Sequence, residues 1–240
     1  MNLLRSILFF VVSLLVTTFY GLIVPPVSFV SQKWGYAVAK SWGKQIVRLA
    51  KWICGIDYTI IGLENLPPPS APSIVMAKHQ SAWETVSLLA NMPRASWIIK
   101  RELVYVPFVG WALAALKSIA IDRKSGKAAR DQILDQGREY LAAGQWVIIF
   151  PEGTRVEPGK KGRYGIGGAW LAANTGTPIV PIAHNAGELW RRNAFIKRPG
   201  MVTMSIGPVI ETKDKTSVEV IKQVETWIEN EMARLPPTAR

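Results

Sequence analysis

The chain has 240 residues, of which 49% are hydrophobic and 19% charged, and its formal net charge is +12 at neutral pH. This composition is too apolar for an ordinary soluble enzyme and too charged for a transporter with many membrane spans. One cysteine excludes internal disulfides, and two histidines provide no metal-ligand cluster. We therefore expect a reduced protein without a metal or other cofactor, whose basic charge fits nucleic acid, anionic lipids or a phosphorylated substrate.

The first predicted element is an apolar helix. Residues 6–32 carry no charged side chain and residues 7–24 are almost wholly apolar, which suffices to cross a bilayer core of roughly 30 Å at about 1.5 Å per residue. A cleaved signal peptide is the alternative, but the run is longer than a signal core and no small-residue cleavage site follows it. Pro25 and Pro26 are expected to end or kink the helix, so it either spans the bilayer or dips into one leaflet.

A second helix is predicted from a set of cations that fall on one narrow arc. These cations are Lys40, Lys44, Arg48 and Lys51. The opposite face is apolar and includes Trp42, which fits either a helix among anionic lipid headgroups or a surface helix packed on the protein core. The neighbouring apolar segment favours the membrane. We expect residues 1–56 to attach the protein to a membrane at its cytoplasmic face, the inner membrane if the source is bacterial, because cations downstream of the apolar run outnumber Arg5 upstream.

A proline-rich connector at residues 66–72 is expected to separate this front end from the core. Beyond it, strands are predicted at residues 73–77, 96–99, 146–150, 178–183 and 201–206. Helices are predicted at residues 81–90, 127–143, 166–174 and 216–234. The last helix has Thr216 and Glu219 at capping-box spacing. The alternation predicts an α/β fold, a mixed sheet covered by helices, in a domain at residues 57–240 that follows the N-terminal membrane-attaching helical segment.

A first block of polar residues, 78–84, follows the first of these strands. His79 lies where the strand turns into a helix, and an imidazole in that position can act as a general base near neutral pH. Glu84, five positions later, can orient the ring and stabilise the transient imidazolium. Two alternatives stay open. Ser81 and Glu84 also form a capping-box pattern, and an isolated histidine is often only a satisfied polar group.

A second block, residues 150–155, follows another apolar strand. Pro151 and Gly153 force a turn. The planar guanidinium of Arg155, the Thr154 hydroxyl and exposed backbone N–H groups would suit a phosphate. The alternative is an ordinary turn with a solvated arginine. The second block is therefore a candidate anion site.

Other parts of the chain narrow the partner. Lys100 or Arg101, between the blocks, is a further candidate phosphate ligand, although a basic pair is usually a solvated face. The glycines of residues 163–168 match neither a Walker loop nor a dinucleotide fingerprint. No nucleic-acid module and no pattern of basic residues interleaved with aromatics is evident. Nucleotide hydrolysis and nucleic-acid binding are thus disfavoured.

Taken together, the motifs resemble those of the glycerolipid acyltransferase family typified by 1-acyl-sn-glycerol-3-phosphate acyltransferase. They occur in order as His-x4-Asp at residues 79–84, Lys-x-Glu-Leu with Pro and Gly at residues 100–110, Phe-Pro-Glu-Gly-Thr-Arg at residues 150–155 and Val-Pro-Ile at residues 180–182. The resemblance covers about residues 73–187. It departs from the family at Glu84, where the family usually has Asp.

The resemblance implies acyl transfer from acyl-CoA or acyl carrier protein to the sn-2 hydroxyl of lysophosphatidic acid, giving phosphatidic acid without a covalent acyl-enzyme. It implies that His79 is the general base and Glu84 its partner. It places the substrate phosphate near Lys100, Glu152, Gly153, Thr154 and Arg155, with Arg123 as a further candidate. Another lysolipid acceptor stays possible, as does a catalytically silent lipid-binding scaffold on the same fold.

Overall fold

The centre of the molecule is a mixed β-sheet, seen in a computed structural model that describes residues 1–238. Within these residues the strands are β1 (Ile56–Ile61), β2 (Ile74–Ala77), β3 (Ala95–Lys100), β4 (Ile119–Ile121), β5 (Trp146–Ile149), β6 (Ile179–His184) and β7 (Gly200–Ile206). Their spatial order is β1-β7-β6-β2-β5-β3-β4. Neighbours from β6 to β4 are parallel, whereas β7 is antiparallel to β6 and parallel to β1. The predicted α/β fold with a mixed sheet is confirmed.

Helices cover both faces of the sheet. They are α1 (Asn2–Val30), α2 (Gln32–Leu49), α3 (Trp83–Asn91), α4 (Val109–Ala115), α5 (Lys127–Ala142), α6 (Gly167–Thr175) and α7 (Ser217–Met232). The core between the sheet and α1, α2 and α3 forms one hydrophobic cluster, and the core beneath α5, α6 and α7 forms another. The predicted capping box begins α7, since the Thr216 side chain accepts the Glu219 N–H and the Glu219 carboxylate accepts the Thr216 N–H.

Predicted and observed elements agree for five strands and four helices, with small shifts at their ends. The sequence did not predict β1, β4 or α4. Since β1 pairs with β7 over residues 56–61, the proline-rich connector lies inside the α/β domain and does not precede it. Residues 239 and 240, the end of the predicted domain, lie outside the described residues.

The N-terminal helix α1 is long and apolar enough to cross a membrane. It does not end at Pro25 and Pro26 but continues to Val30. One face packs against the rest of the protein along the helix. Its buried residues are Ser6, Phe9, Gly21, Val24 and Ser28. Residues of α1 therefore belong to the same hydrophobic core as the sheet.

The apolar face of α2 packs on the protein and not on lipid, contrary to the interpretation that the sequence favoured. Ile46 and Val47 are buried in the core, and the Trp42 indole donates a hydrogen bond to Thr17 of α1 at 3.1 Å. The reason is that α1 and α3 lie against this stripe and remove it from solvent. The cationic face is the part of α2 that remains available to anionic lipid.

The parallel strands bring the predicted site residues to one edge of the sheet. Met76 of β2 lies opposite Ile149 of β5, and β3 lies between β5 and β4. The segments that leave the carboxyl ends of these strands therefore emerge side by side. They carry His79, the second block, Lys100 and Arg123. The topology thus assembles residues that are far apart in the chain.

Candidate active site

His79 and Glu84 form a hydrogen-bonded pair at the carboxyl end of β2. Their Nδ1 and Oε1 atoms are 2.7 Å apart, and the same buried carboxylate oxygen accepts the backbone N–H groups of Gln80 at 3.1 Å and Ser81 at 2.9 Å. Because an ionised carboxylate only accepts hydrogen bonds, Nδ1 carries the proton and Nε2 is the basic nitrogen. The His79 side chain is 14% exposed. The ring is therefore held on one side and reachable on the other.

Glu84 also closes the first turn of α3. The Ser81 hydroxyl accepts the N–H of Trp83 at 3.1 Å, while Glu84 accepts the N–H of Ser81. These contacts are those expected of a capping box. The two interpretations of Glu84 that the sequence left open are thus compatible, because one oxygen serves the backbone and the imidazole together.

A second histidine lies behind the pair. His184 Nε2 is 3.8 Å from Glu84 Oε2 and donates a hydrogen bond to the Lys78 carbonyl at 2.8 Å, while its Nδ1 accepts the Ala186 N–H. Burial lowers the pKa of His184, so this ring is neutral at neutral pH. Burial alone would raise the pKa of Glu84, but His184, the hydrogen bond from His79 and a backbone N–H together lower it. One carboxylate charge therefore faces His79.

The second block holds the backbone and ring of His79. The Phe150 ring stacks on the imidazole with centroids 4.0 Å apart. Glu152 Oε2 accepts the His79 N–H at 2.8 Å, and the Val156 N–H donates to the His79 carbonyl at 2.8 Å. Glu152 is therefore directed at the backbone of the first block. Residues 150–156 position the histidine from the side opposite Glu84.

A cavity of about 290 Å³ opens beside His79. Its charged and imidazole lining consists of His79, Lys100, Arg123 and Arg155. The remaining wall is largely apolar and comes from α1, α2, α3, β3 and α4. The structure thus brings four of the predicted site residues to one cavity. Within residues 1–238, no group of three or more His, Cys, Asp or Glu side chains could hold a metal ion there.

Other predicted site residues lie around the cavity without lining it. Glu84 and Glu152 are buried behind His79. Gly153 has a positive φ of 67°, which favours glycine, and its carbonyl accepts a hydrogen bond from Arg123. Thr154 is exposed. The predicted pocket-shaping role of residues 152–154 therefore finds an indirect counterpart, through the residues that they hold.

Sequence reasoning missed Lys78 and the cavity wall. Lys78 is buried although it directly precedes His79, and a charged residue at the end of a wholly buried strand was a signal that could have found it. The wall residues Tyr20 and Trp42 lie on α1 and α2. No local pattern distinguishes a helix packed on protein from one packed on lipid, so these residues were beyond sequence reasoning.

A family model described as Acyltransferase matches residues 57–185, more than half of the chain. The chain belongs to this acyltransferase family. The resemblance predicted from the ordered motifs is thereby confirmed. The matched range contains both blocks and the Val-Pro-Ile motif.

Named relatives agree with this membership. A 1-acyl-sn-glycerol-3-phosphate acyltransferase of Pseudomonas aeruginosa is 43% identical over 203 residues, which cover 83% of this chain and 78% of the relative. One from Chlamydomonas reinhardtii is 33% identical over 162 residues, covering 65% of this chain and 48% of that protein.

The crystal structure of the 1-acyl-sn-glycerophosphate (LPA) acyltransferase PlsC from Thermotoga maritima is similar at a TM-score of 0.81 and 25% identity, covering 97% of this chain and 95% of that one. Because the likeness covers almost the whole chain, it extends into the N-terminal helices.

Proposed function

We propose that this enzyme transfers a fatty acyl group from a thioester to the sn-2 hydroxyl of lysophosphatidic acid, giving phosphatidic acid for phospholipid synthesis. The observation that carries the proposal is the His79–Glu84 pair beside a largely apolar cavity that is also lined by cations. Family membership supports acyl transfer, and the names of the relatives support this acceptor. An alcohol that attacks a thioester needs a base and positioning, and this site offers both.

The reaction follows from the tautomer of His79. Its Nε2 takes the proton of the acceptor hydroxyl while the hydroxyl oxygen forms a bond to the thioester carbonyl carbon. Collapse of the tetrahedral intermediate breaks the carbon–sulfur bond, and the departing thiolate takes the proton back from the imidazolium. Glu84 stabilises the imidazolium between these steps. The products are an ester and a thiol, and no acyl group is attached to the protein.

The cations of the cavity lining are proposed to bind the acceptor phosphate. The Arg155 carbonyl accepts a hydrogen bond from Arg192 at 2.7 Å, which supports its backbone, and Arg123 donates to the Gly153 carbonyl. Lys100 is paired with the exposed Glu102 at 3.0 Å, a contact that a phosphate can replace at small cost. Arginine suits this task because its planar fork makes two parallel hydrogen bonds to a phosphate.

Replacing Arg155 by alanine is expected to raise the acceptor KM about tenfold or more, since a hydrogen bond between charged groups contributes about 1.5–3 kcal/mol. The donor KM should change little. The measurement is steady-state kinetics with varied lysophosphatidic acid. Arg138→Ala, an exposed arginine of α5 away from the cavity, is the matched control. An unchanged acceptor KM in Arg155→Ala would count against the phosphate role.

The apolar part of the cavity is proposed to take the acyl chain. Its wall includes Val24, Trp42 and Leu113, which come from three different helices. The purified protein should be assayed with labelled acyl-CoA and acyl carrier protein donors of several chain lengths, each with lysophosphatidic acid and other lysolipids. Product from another lysolipid only would change the acceptor and keep the reaction class. No product from any pair would favour the lipid-binding scaffold.

We also propose that residues 1–56 attach the enzyme to a membrane and that the chemistry resides in residues 57–240. One face of α1 is apolar and exposed throughout. It includes Leu4, Leu8, Val11, Leu14, Leu15, Phe19 and Leu22. Phe195 and Ile196 extend this surface, because the Phe195 ring lies 5.8 Å from that of Phe10.

The packing of α1 supports insertion into one leaflet. A helix that spans the bilayer while packed on protein from Ser6 to Ser28 would draw the polar α/β domain into the hydrocarbon. A helix lying in the membrane surface exposes only its apolar face to lipid. The exposed cations Lys44 and Arg48 of α2 support attachment to anionic lipids of the cytoplasmic face.

Leu15→Glu, on the exposed face of α1, is expected to weaken binding to anionic vesicles by about tenfold or more, because it places a charge in the lipid contact. Sedimentation with vesicles measures the bound fraction. Val218→Glu on α7 is the matched control, since Val218 is equally exposed but belongs to another surface. Equal binding of both variants would contradict membrane contact through this face.

A further inference from the structure

Lys78 is a buried cation directly before the candidate base. Its side chain is 1% exposed. Its Nζ donates a hydrogen bond to Glu229 Oε1 of α7 at 2.7 Å and lies 2.8 Å from Glu152 Oε1. A buried charge is costly unless it is paired, and a paired one is often replaceable by apolar residues without loss of stability. Fold stability is therefore a weak reason for a lysine at this position.

The contacts of Lys78 lead to the backbone of His79. The side chain of Glu152 is 0% exposed. Its Oε2 accepts the His79 N–H at 2.8 Å, while its Oε1 has the ion pair with Lys78 and, within residues 1–238, no partner with hydrogen-bond geometry. Lys78 is thus the countercharge that keeps this carboxylate ionised. An ionised acceptor makes a shorter and stronger hydrogen bond to a backbone N–H than a neutral one.

The other end of the network is on α7, on the opposite face of the sheet from α3. The side chain of Glu229 is 24% exposed, and the same oxygen that meets Lys78 accepts the Tyr164 hydroxyl at 2.8 Å. Burial first, and then the neighbouring carboxylates, raise the pKa of Tyr164, so the hydroxyl remains a donor. Glu229 is therefore fixed by two donors, and it fixes the ammonium of Lys78 in turn.

We propose that Lys78 and Glu229 are positioning residues, which act through Glu152 to fix the His79 backbone and so hold its ring against Glu84. Glu152 is then a positioning residue too, and not a ligand of the substrate phosphate. The kinetic consequence rests on the proposed acyl transfer, whereas the geometric consequence does not. A network that served the fold alone would affect unfolding and leave the folded enzyme's kcat unchanged.

The kinetic experiment compares two glutamates of one helix. Glu229→Gln is expected to lower kcat about tenfold with both KM values within about twofold, because a small misplacement of a reacting group affects the chemical step and not binding. Glu225→Gln is the matched control. Glu225 lies one turn earlier on α7, is 30% exposed and pairs with the exposed Lys161 at 2.6 Å. A kcat equal to wild type in Glu229→Gln would overturn the proposal.

A rescue experiment separates positioning from loss of a charge. Lys78→Met leaves Glu152 buried without its countercharge, and kcat should fall roughly 100-fold. Lys78→Met/Glu152→Gln removes both charges but keeps an oxygen that accepts the His79 N–H, so kcat should recover about tenfold. A folded Lys78→Met enzyme with wild-type kcat, or a double variant without recovery, would overturn the proposal.

A spectroscopic measurement tests the geometry without a substrate. The chain has two histidines, so histidine labelled with ¹⁵N and ¹³C gives NMR signals from His79 and His184 alone. The His79 amide signal should shift in Lys78→Met and Glu229→Gln and stay in place in Glu225→Gln. Unchanged signals in Glu229→Gln would overturn the proposal, even if Lys78→Met fails to fold. If wild type acylates no lysolipid, the proposed function fails while these spectra still decide the network.

Discussion

Replacing His79 by alanine is expected to lower kcat by about 10²- to 10⁴-fold, which is the usual contribution of a positioned general base. The acceptor KM should change little, because the proposed phosphate ligands Lys100 and Arg155 remain. The physical reason is that Nε2 of His79 is the basic nitrogen, while its other ring nitrogen is occupied by Glu84 at 2.7 Å. Without the ring, the hydroxyl must attack the thioester with its proton in place.

The measurement is the initial rate of phosphatidic acid formation by purified wild type and His79→Ala in the same detergent. The thermal unfolding midpoint of each protein serves as the control for folding. Added imidazole should restore part of the rate in His79→Ala, since a free base can enter the space that the ring leaves. Equal rates of the two proteins would remove His79 as the base and leave only a structural histidine.

Glu84 is expected to be nearly as important. In Glu84→Gln the buried carboxylate charge that stabilises the imidazolium is lost, and kcat should fall by about 10²- to 10⁴-fold. The fall should exceed that of Glu84→Asp, which keeps the charge but withdraws it by one carbon–carbon bond. We expect Glu84→Asp to lose about tenfold, because the oxygen that meets His79 must also reach two backbone N–H groups.

Both Glu84 variants must be compared as folded enzyme, because the carboxylate also closes the first turn of α3. Kinetics per mole of folded protein, together with thermal unfolding, separate the two effects. The mouth of the cavity provides a control in Lys100→Gln, which should raise the acceptor KM and leave kcat nearly unchanged. A Glu84→Gln enzyme with wild-type kcat would reduce Glu84 to a helix cap.

The order of these variants also bears on the family's usual Asp. The resemblance left the geometry of Glu84 in doubt, since the side chain is one methylene longer. In the structure the longer side chain reaches the His79 ring and two backbone amides with one oxygen. Glu84→Asp therefore asks whether this first turn is built around the longer residue. Full activity of Glu84→Asp would show that the turn adapts to either.

Sequence patterns were sufficient for the main elements because these depend on neighbours in the chain. Apolar runs predicted β2, β3, β5, β6 and β7, and helical spacing with the Thr216 cap predicted α7. The edge strand β1 escaped prediction, since its burial alternates only in part and its pairing partner lies about 140 residues later. The short β4 was also missed, being three residues long.

The sequence by itself determined the family, the α/β fold and the candidate pair His79 and Glu84, because ordered motifs and five-residue spacing are local properties of the chain. Only the tertiary structure decided that α2 packs on protein, that Glu152 faces the His79 backbone and that Lys78 connects α7 to the site. These facts depend on which distant segments share a buried space. Burial, and the pairing of charges that burial demands, arise only when those segments meet.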